Sequence, residues 1–195
     1  MRLILASASP RRAELLTAAG FAFEIAPVNI DERPRPEETP EVHVARLAEE
    51  KAAAALRQHP DAVVVGADTV VVVDNRILGK PSGPQEAEQM IRSLSGRTHA
   101  VLTGICVRRA GHTASHVERT SVQVARLEDH EIAWYVASGE PADKAGAYAI
   151  QGLASRFVEE IQGSYPNVVG LPVAAVYRLL RGVGCDILNP NTNEK

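Results

Sequence analysis

Short apolar runs alternate along this chain with longer stretches of helical period, which is the pattern of an α/β protein. Leu3–Ala6 reads as a short buried strand. Ser9 and Pro10 then suit the N-cap and first position of a helix that Gly20 closes. Residues 23–28 read as a second strand and residues 29–39 as a loop rich in proline and acid. Thr39-Pro40 opens a long helix with an inward stripe of Val44, Leu47, Ala48, Ala52, Ala55 and Leu56, and Lys51 falls on that stripe. Residues 63–73 are a β-branched run, and Asp74-Asn75 turns it into a return strand over 76–79. A helix over 82–96 follows, with Ala87, Met90, Ile91 and Leu94 inward, then strands over 98–109 and 117–126 joined by the loop AGHTASH. A short helix over 129–138 carries Trp134 as a packing residue. Residues 145–150 are strand-like, which puts Gln151 at a strand end, and 172–181 form the last helix.

Composition narrows the class. The 195 residues suit one domain, here 1–182 followed by a polar tail at 183–195. Hydrophobic content of 45% and charged content of 23% are ordinary for a globular protein. A net charge of −3 argues against a protein that coats nucleic acid, which needs a basic surface. Cys106 and Cys185 have no C-x-x-C spacing, so the sequence writes no thiolate zinc site, and free thiols in a reducing cytosol are expected. The N-terminal apolar run is too short for a secretory signal and no stretch reaches membrane-spanning length, so the expected location is cytoplasmic, with no membrane partner.

The chemistry centres on Asp68, set among valines. Alternation puts Val64, Gly66, Asp68, Val70 and Val72 on one strand face. A carboxylate there must be paired, hydrogen-bonded or bound to a metal, and Gly66-Ala67 leave room for something to approach the backbone. The return strand delivers Lys80. Arg11 and Arg12 oppose the dipole of the first helix, which a bound anion would compensate; the alternative is that both face solvent and pair with acids such as Glu14. Asp31-Glu32 follow a strand and suit metal ligation. Lys51 either snorkels to the rim or faces a polar cleft. His112 and His116 have zinc-pair spacing but lie in a loop without an intervening acid, so no metal is expected there. Residues 140–172 are dense in glycine, as backbone near a ligand would be, or else form a surface hairpin that leaves Gln151 solvated; Asp143-Lys144 is a further polar pair. There is no Walker A, dinucleotide fingerprint, G-x-S-x-G or H-E-x-x-H. Arg11, Arg12, Lys51, Lys80 and Lys144 set against Asp31, Glu32 and Asp68 make a balance that suits a magnesium-bound polyphosphate.

SASPRR (7–12), DE (31–32), the helix with Lys51, GADTVV (66–71), GKP (79–81), TG (103–104), EPADKAGAYAIQG (140–152) and NVVGLP (167–172) together resemble the Maf family of nucleoside triphosphate pyrophosphatases. The resemblance runs from about residue 3 to residue 181. It implies a mixed, twisted sheet flanked by helices, with two lobes around a cleft, as in inosine triphosphatase-type enzymes. It also implies hydrolysis between the α and β phosphates with a divalent metal, Mg²⁺ or Mn²⁺, removing non-standard or excess nucleotides. On that pattern Asp68 accepts the proton of water, and Ser9, Arg11, Glu32, Lys51 and Lys80 line the phosphate and metal site, with Glu32 and Asp68 on the metal. Arg12, Thr69 and Gln151 match the dTTP/UTP-type subfamily, and a homodimer is a further implication. The competing class is a nucleotide sensor or cell-division regulator that binds without turnover; a pure binder would not need Asp68 as a base.

Overall fold

The computed structural model describes residues 2–185. Its strands are β1 (Leu3–Leu5), β2 (Glu24–Ile25), β3 (Val63–Val73), β4 (Arg76–Leu78), β5 (Thr98–Arg109), β6 (His112–Val124) and β7 (Val158–Gln162). The helices are α1 (Pro10–Ala18), α2 (Pro40–Gln58), α3 (Pro84–Leu94), α4 (Asp129–Ala137), α5 (Tyr165–Val169) and α6 (Val173–Gly182). Among the described residues these strands form one mixed sheet in the order β2-β1-β3-β5-β6-β7, with β4 paired to β3. β1 runs parallel to β2 and β3, while β3–β4 and β6–β7 are antiparallel. The chain divides into two compact units. One comprises the described parts of Met1–Asp68, Thr103–Glu118 and Gly170–Lys195, the other Thr69–Leu102 and Arg119–Val169.

In the first unit β1 and the Val63–Ala67 part of β3 are buried on both faces, as parallel strands covered by helices are, whereas β2 is exposed. Leu3, Leu5, Val63, Val65, Ala67, Ile105 and Val107 pack with Leu16 of α1 and with Ala175, Val176 and Leu180 of α6. The alternate residues Ile4, Val64 and Cys106 pack with Ala48, Ala52 and Ala55 of α2. Alanines on α2 are no accident of composition. A Cβ on Gly66 would lie 2.7 Å from the Ala52 amide nitrogen and would overlap the Ala48 carbonyl oxygen, and one on Gly104 would meet the backbone of Val44 and Ala45. The room expected beside Gly66 therefore exists, and the backbone of α2 fills it. Val183 and Cys185 belong to this core as well, so packed chain continues past residue 182. Residues 186–195 of the expected polar tail lie outside the described residues. Cys106 and Cys185 are both free and buried.

Several boundaries differ from the sequence reading, each for a local reason. β2 spans only Glu24–Ile25 because its partner β1 is itself three residues long. The expected AGHTASH loop is mostly strand: a tight turn at 110–111, with Gly111 at φ 74°, lets β6 start at His112. Residues 145–150 are not a strand, since Gly146 (φ 66°) and Ala147 (φ 60°) take left-handed conformations that break extended backbone. Gln151 accordingly sits exposed in a turn, not at a strand end. β7 and α5 were not legible, the first carrying few apolar residues (VEEIQ) and the second being one turn long. The predicted Asp74-Asn75 hairpin is present, both residues having the positive φ that such turns demand. Trp134 does pack, its ring edge-on to Phe157 at 6.5 Å and Arg156 over it at 4.4 Å, but it stays 44% exposed while its neighbour Tyr135 is fully buried.

The second unit buries a titratable ring. His99 on β5 is 3% exposed, its Nε2 is 2.8 Å from the Tyr148 hydroxyl, and its Nδ1 has no hydrogen-bond partner. Burial pushes its pKa down from 6.5 to about 4. The unfolded chain therefore takes up this proton at higher pH than the folded one. The stability contributed by keeping the ring neutral is complete above pH 6.5 and is lost as pH falls from there toward 4. The loss amounts to roughly 3 kcal/mol over that window. Urea titrations at pH 7 and pH 4.5 should show this slope in the wild type and a shallower one in His99→Phe; equal slopes would mean that His99 does not titrate this way.

Candidate active site

Strand parity brings the first unit's chemistry together. Asp68 shares its face with Val64 and Gly66, the face that α2 covers, and α2 carries Lys51 on its buried side. The close approach at Gly66 sets the strand and helix near enough for the two side chains to meet. Lys51 Nζ donates to Asp68 Oδ1 at 2.8 Å and lies 2.6 Å from Glu32 Oε1. The Lys51 and Asp68 side chains are 9% and 12% exposed, whereas Glu32 is 60% exposed. Of the two alternatives for Lys51, the structure therefore takes the inward one. A buried ammonium is tolerable only because carboxylates flank it.

Glu32 hangs on a loop, and the loop is fixed to the same helix. Glu38 accepts from Arg46 Nε (2.6 Å) and Nη2 (2.9 Å), from the Arg35 backbone amide (3.0 Å), and contacts His43 Nδ1 at 3.0 Å. Arg46 Nη2 also donates to the Arg33 carbonyl at 3.2 Å. The Arg46 hydrogen bonds hold the Glu38 carboxyl far below the usual carboxylate range, so it stays an acceptor. Sequence reasoning passed over these residues. Their signal was the spacing His43, Arg46, Glu50 on α2, a polar stripe beside the apolar one. Asp31, the other acid considered for a metal, is held instead by Arg33 at 2.6 Å, whose hydrogen bonds also lower its pKa well below the ordinary range.

At the start of α1, Ser9 occupies the N-cap position, but its side chain makes no capping hydrogen bond. Arg11 is half-buried. Arg12 is buried and gives Nε to the Gly170 carbonyl (2.9 Å) and Nη1 to the Ser7 hydroxyl (3.0 Å) and Ala67 carbonyl (2.9 Å). It thus ties together the ends of three segments beside Asp68. Neither arginine follows the solvent-facing alternative in full, and they differ: Arg11 remains at the surface while Arg12 braces the backbone.

Thr69, Lys80 and Gln151 belong to the second unit. Thr69 is half-buried on β3, and alternation turns it to the face opposite Asp68. Lys80 is exposed just past β4, and the Gly79 carbonyl before it accepts from the Gly146 amide at 3.0 Å, which links the GKP segment to the glycine-dense stretch. Asp143 and Lys144 pair with each other. His112 and His116 lie on β6, and His116 contacts Glu118 at 3.0 Å.

The family model described as "Maf-like protein" matches residues 2–183. The chain belongs to the Maf-like protein family. Among curated proteins it is similar to the dTTP/UTP pyrophosphatase of Syntrophus aciditrophicus, at 50% identity over 94% of this chain and 90% of that one. It is also similar to the dTTP/UTP pyrophosphatase of Anaeromyxobacter dehalogenans strain 2CP-C, at 52% identity over 94% of each. That of Koribacter versatilis is 50% identical over 94% of this chain and 95% of that one. Among solved structures, the Staphylococcus aureus Ham1 protein matches with a TM-score of 0.46 and 14% identity, over 64% of this chain and 72% of that chain, too loose a likeness to bear weight. Among the described residues no helix is long and apolar enough to cross a membrane.

For this Maf-like chain the glycine contact is the feature to test. Gly66→Ala should lower stability by about 1–3 kcal/mol, since the added methyl must displace helix backbone. Gly79→Ala, where a Cβ would meet nothing within 4 Å, should stay within about 0.5 kcal/mol of wild type. Urea midpoints check both, and equal midpoints would refute the account of how α2 is seated.

Proposed function

We propose that this chain hydrolyses nucleoside triphosphates between the α and β phosphates, favouring dTTP and UTP and releasing the monophosphate and pyrophosphate. The observation that carries the proposal is the Glu32–Lys51–Asp68 cluster, in a chain about half identical to several proteins named dTTP/UTP pyrophosphatase. Asp68 is the proton acceptor for the attacking water. Lys51 engages it at Oδ1, and an ionised carboxylate has further lone pairs with which to accept from a water. Lys51 and Lys80 neutralise phosphate oxygens, with Arg11 and Ser9 at the start of α1 contributing to the anion site.

A divalent cation fits the donor set. Glu32 and Asp68 already share one cation, the Lys51 ammonium, and both offer the hard oxygens that Mg²⁺ or Mn²⁺ prefers. Two carboxylates suffice, because Mg²⁺ normally completes its shell with water and substrate phosphate. When bound, the metal would screen the phosphate charge and polarise the scissile phosphoryl group.

Base preference falls to Gln151, with Thr69 and Arg12. Uracil and thymine present O4 as acceptor beside N3–H as donor, and a glutamine amide offers both complements. The exposed turn position of Gln151 leaves its amide available for this. A homodimer stays in the proposal on the strength of the family resemblance, and a cytoplasmic site of action stays in it from the sequence reading.

Asp68→Asn should lower turnover about 10²–10⁴-fold while the protein remains folded, because an amide cannot take the proton. Pyrophosphate release measured on the purified variant, alongside its circular dichroism, checks this; near-wild-type turnover would remove Asp68 from the mechanism. In a panel of triphosphates, dTTP and UTP should give the highest kcat/KM. Activity should vanish in excess chelator and return with Mg²⁺ or Mn²⁺. A panel led by purine triphosphates would overturn the base assignment, and full activity in chelator would overturn the metal.

A further inference from the structure

The turn carrying Gln151 is held from both sides by one pair of side chains. Tyr135, fully buried on α4, donates its hydroxyl to Glu140 Oε1 at 2.9 Å. The same hydroxyl accepts from the Ala149 amide at 3.3 Å, two residues before Gln151. Glu140 Oε2 accepts from the Leu153 amide at 2.8 Å, and Oε1 from the Ala154 amide at 3.2 Å, just after Gln151. A Cβ on Gly152 would lie 2.5 Å from the Glu140 carboxyl carbon, so a larger residue there would have to displace that carboxylate. The turn closes on itself through the Gly152 amide and Ala149 carbonyl at 3.0 Å. Glu140 is itself placed by a short turn after α4, its amide donating to Ser138 Oγ at 3.3 Å.

We propose that Tyr135 and Glu140 are positioning residues for base selection, fixing the 149–154 turn so that the Gln151 amide is presented in one orientation. The inference rests on the assignment of Gln151 to base recognition above. Three considerations support it. Gln151 is exposed on the turn, so the aim of its side chain depends on the backbone beneath it. Glu140 receives three donors on two oxygens, which leaves its carboxylate engaged with the chain. Hydrogen bonds to an ionised carboxylate are the stronger kind, and Tyr135 remains a donor because burial and the adjacent Glu140 push its hydroxyl pKa up. Selectivity by a hydrogen-bonding amide is lost when its direction is not held, since a misaligned donor–acceptor pair no longer distinguishes a pyrimidine edge from a purine edge.

The experiment compares wild type, Tyr135→Phe, Glu140→Gln, Gln151→Ala and the double variant Tyr135→Phe/Gln151→Ala. It reads kcat and KM for dTTP and GTP, with amide hydrogen exchange at residues 149–154. Tyr135→Phe deletes only the hydroxyl and Glu140→Gln keeps the shape, so if one fails to fold the other carries the test. Each should reduce the dTTP-over-GTP ratio of kcat/KM about tenfold, mainly through KM for dTTP, and speed exchange in the turn. The double variant should discriminate no worse than Gln151→Ala alone, because the pair acts through that side chain. Unchanged discrimination in a selective enzyme, equal losses on both nucleotides, or additive losses in the double variant would each overturn the inference. A wild type that does not discriminate would instead overturn the assignment of Gln151, and this inference with it.

Discussion

The contact on which the first unit's site depends is the Lys51 ammonium held between Asp68 and Glu32. Neither Lys51 nor Asp68 would be stable there alone. Removing one partner of a buried ion pair typically costs about 3–5 kcal/mol, because the remaining charge keeps its desolvation penalty. The two residues come from elements with no local reason to meet, a strand and a helix separated by a loop. Their meeting is decided by backbone, through a strand glycine pressed against a helix built of alanines. Small residues at this seam thus serve the charge cluster, since a wider separation would leave both charges short of their partner.

Glu32 differs from its two neighbours in kind. It is mostly exposed and approaches from a loop, so its distance from Lys51 is set by whatever anchors that loop. The anchor is the nearly buried Glu38 carboxylate, to which Arg46 and His43 are joined on α2. One helix therefore presents the ammonium and also restrains the acid that faces it. Arg12 acts comparably on the other side of the strand, where its guanidinium joins Ser7, Ala67 and Gly170. Such bracing lowers the freedom of groups that must otherwise be ordered when a highly charged ligand binds.

The second unit solves a similar ordering problem with a tyrosine and a glutamate instead of an arginine. Its Gln151 turn lacks regular secondary structure, so no ladder of backbone bonds holds it. Tyr135 and Glu140 satisfy the amides that a strand would have paired, which is how an irregular segment meets its hydrogen-bond demand. Left-handed Gly146 and Ala147 redirect the chain upstream of that turn.

Local physics alone determined much of this protein. The apolar stripe of α2, the Thr39-Pro40 start, the Asp74-Asn75 hairpin and the two-sided burial of residues 63–73 follow from period, capping and turn chemistry, and each was legible. That Asp68 and Lys51 fall on apolar faces was legible for the same reason, whereas the choice between snorkelling and an inward Lys51 was not. Family resemblance, which draws on the ordered motifs and not on periodicity, pointed to their joint role. Tertiary structure decided what periodicity cannot encode: which face of β3 receives α2, that Glu32 and not Asp31 reaches Lys51, and that Arg12 spends its guanidinium on backbone carbonyls. It also decided that AGAYAI turns instead of extending, because the left-handed backbone at Gly146 and Ala147 depends on neighbours such as Val71 and Gly79 that are remote in sequence. The physical reason is common to all of these. Alternation and helical period fix a residue's direction relative to its own element, whereas its partner is fixed by how closely two backbones can pack.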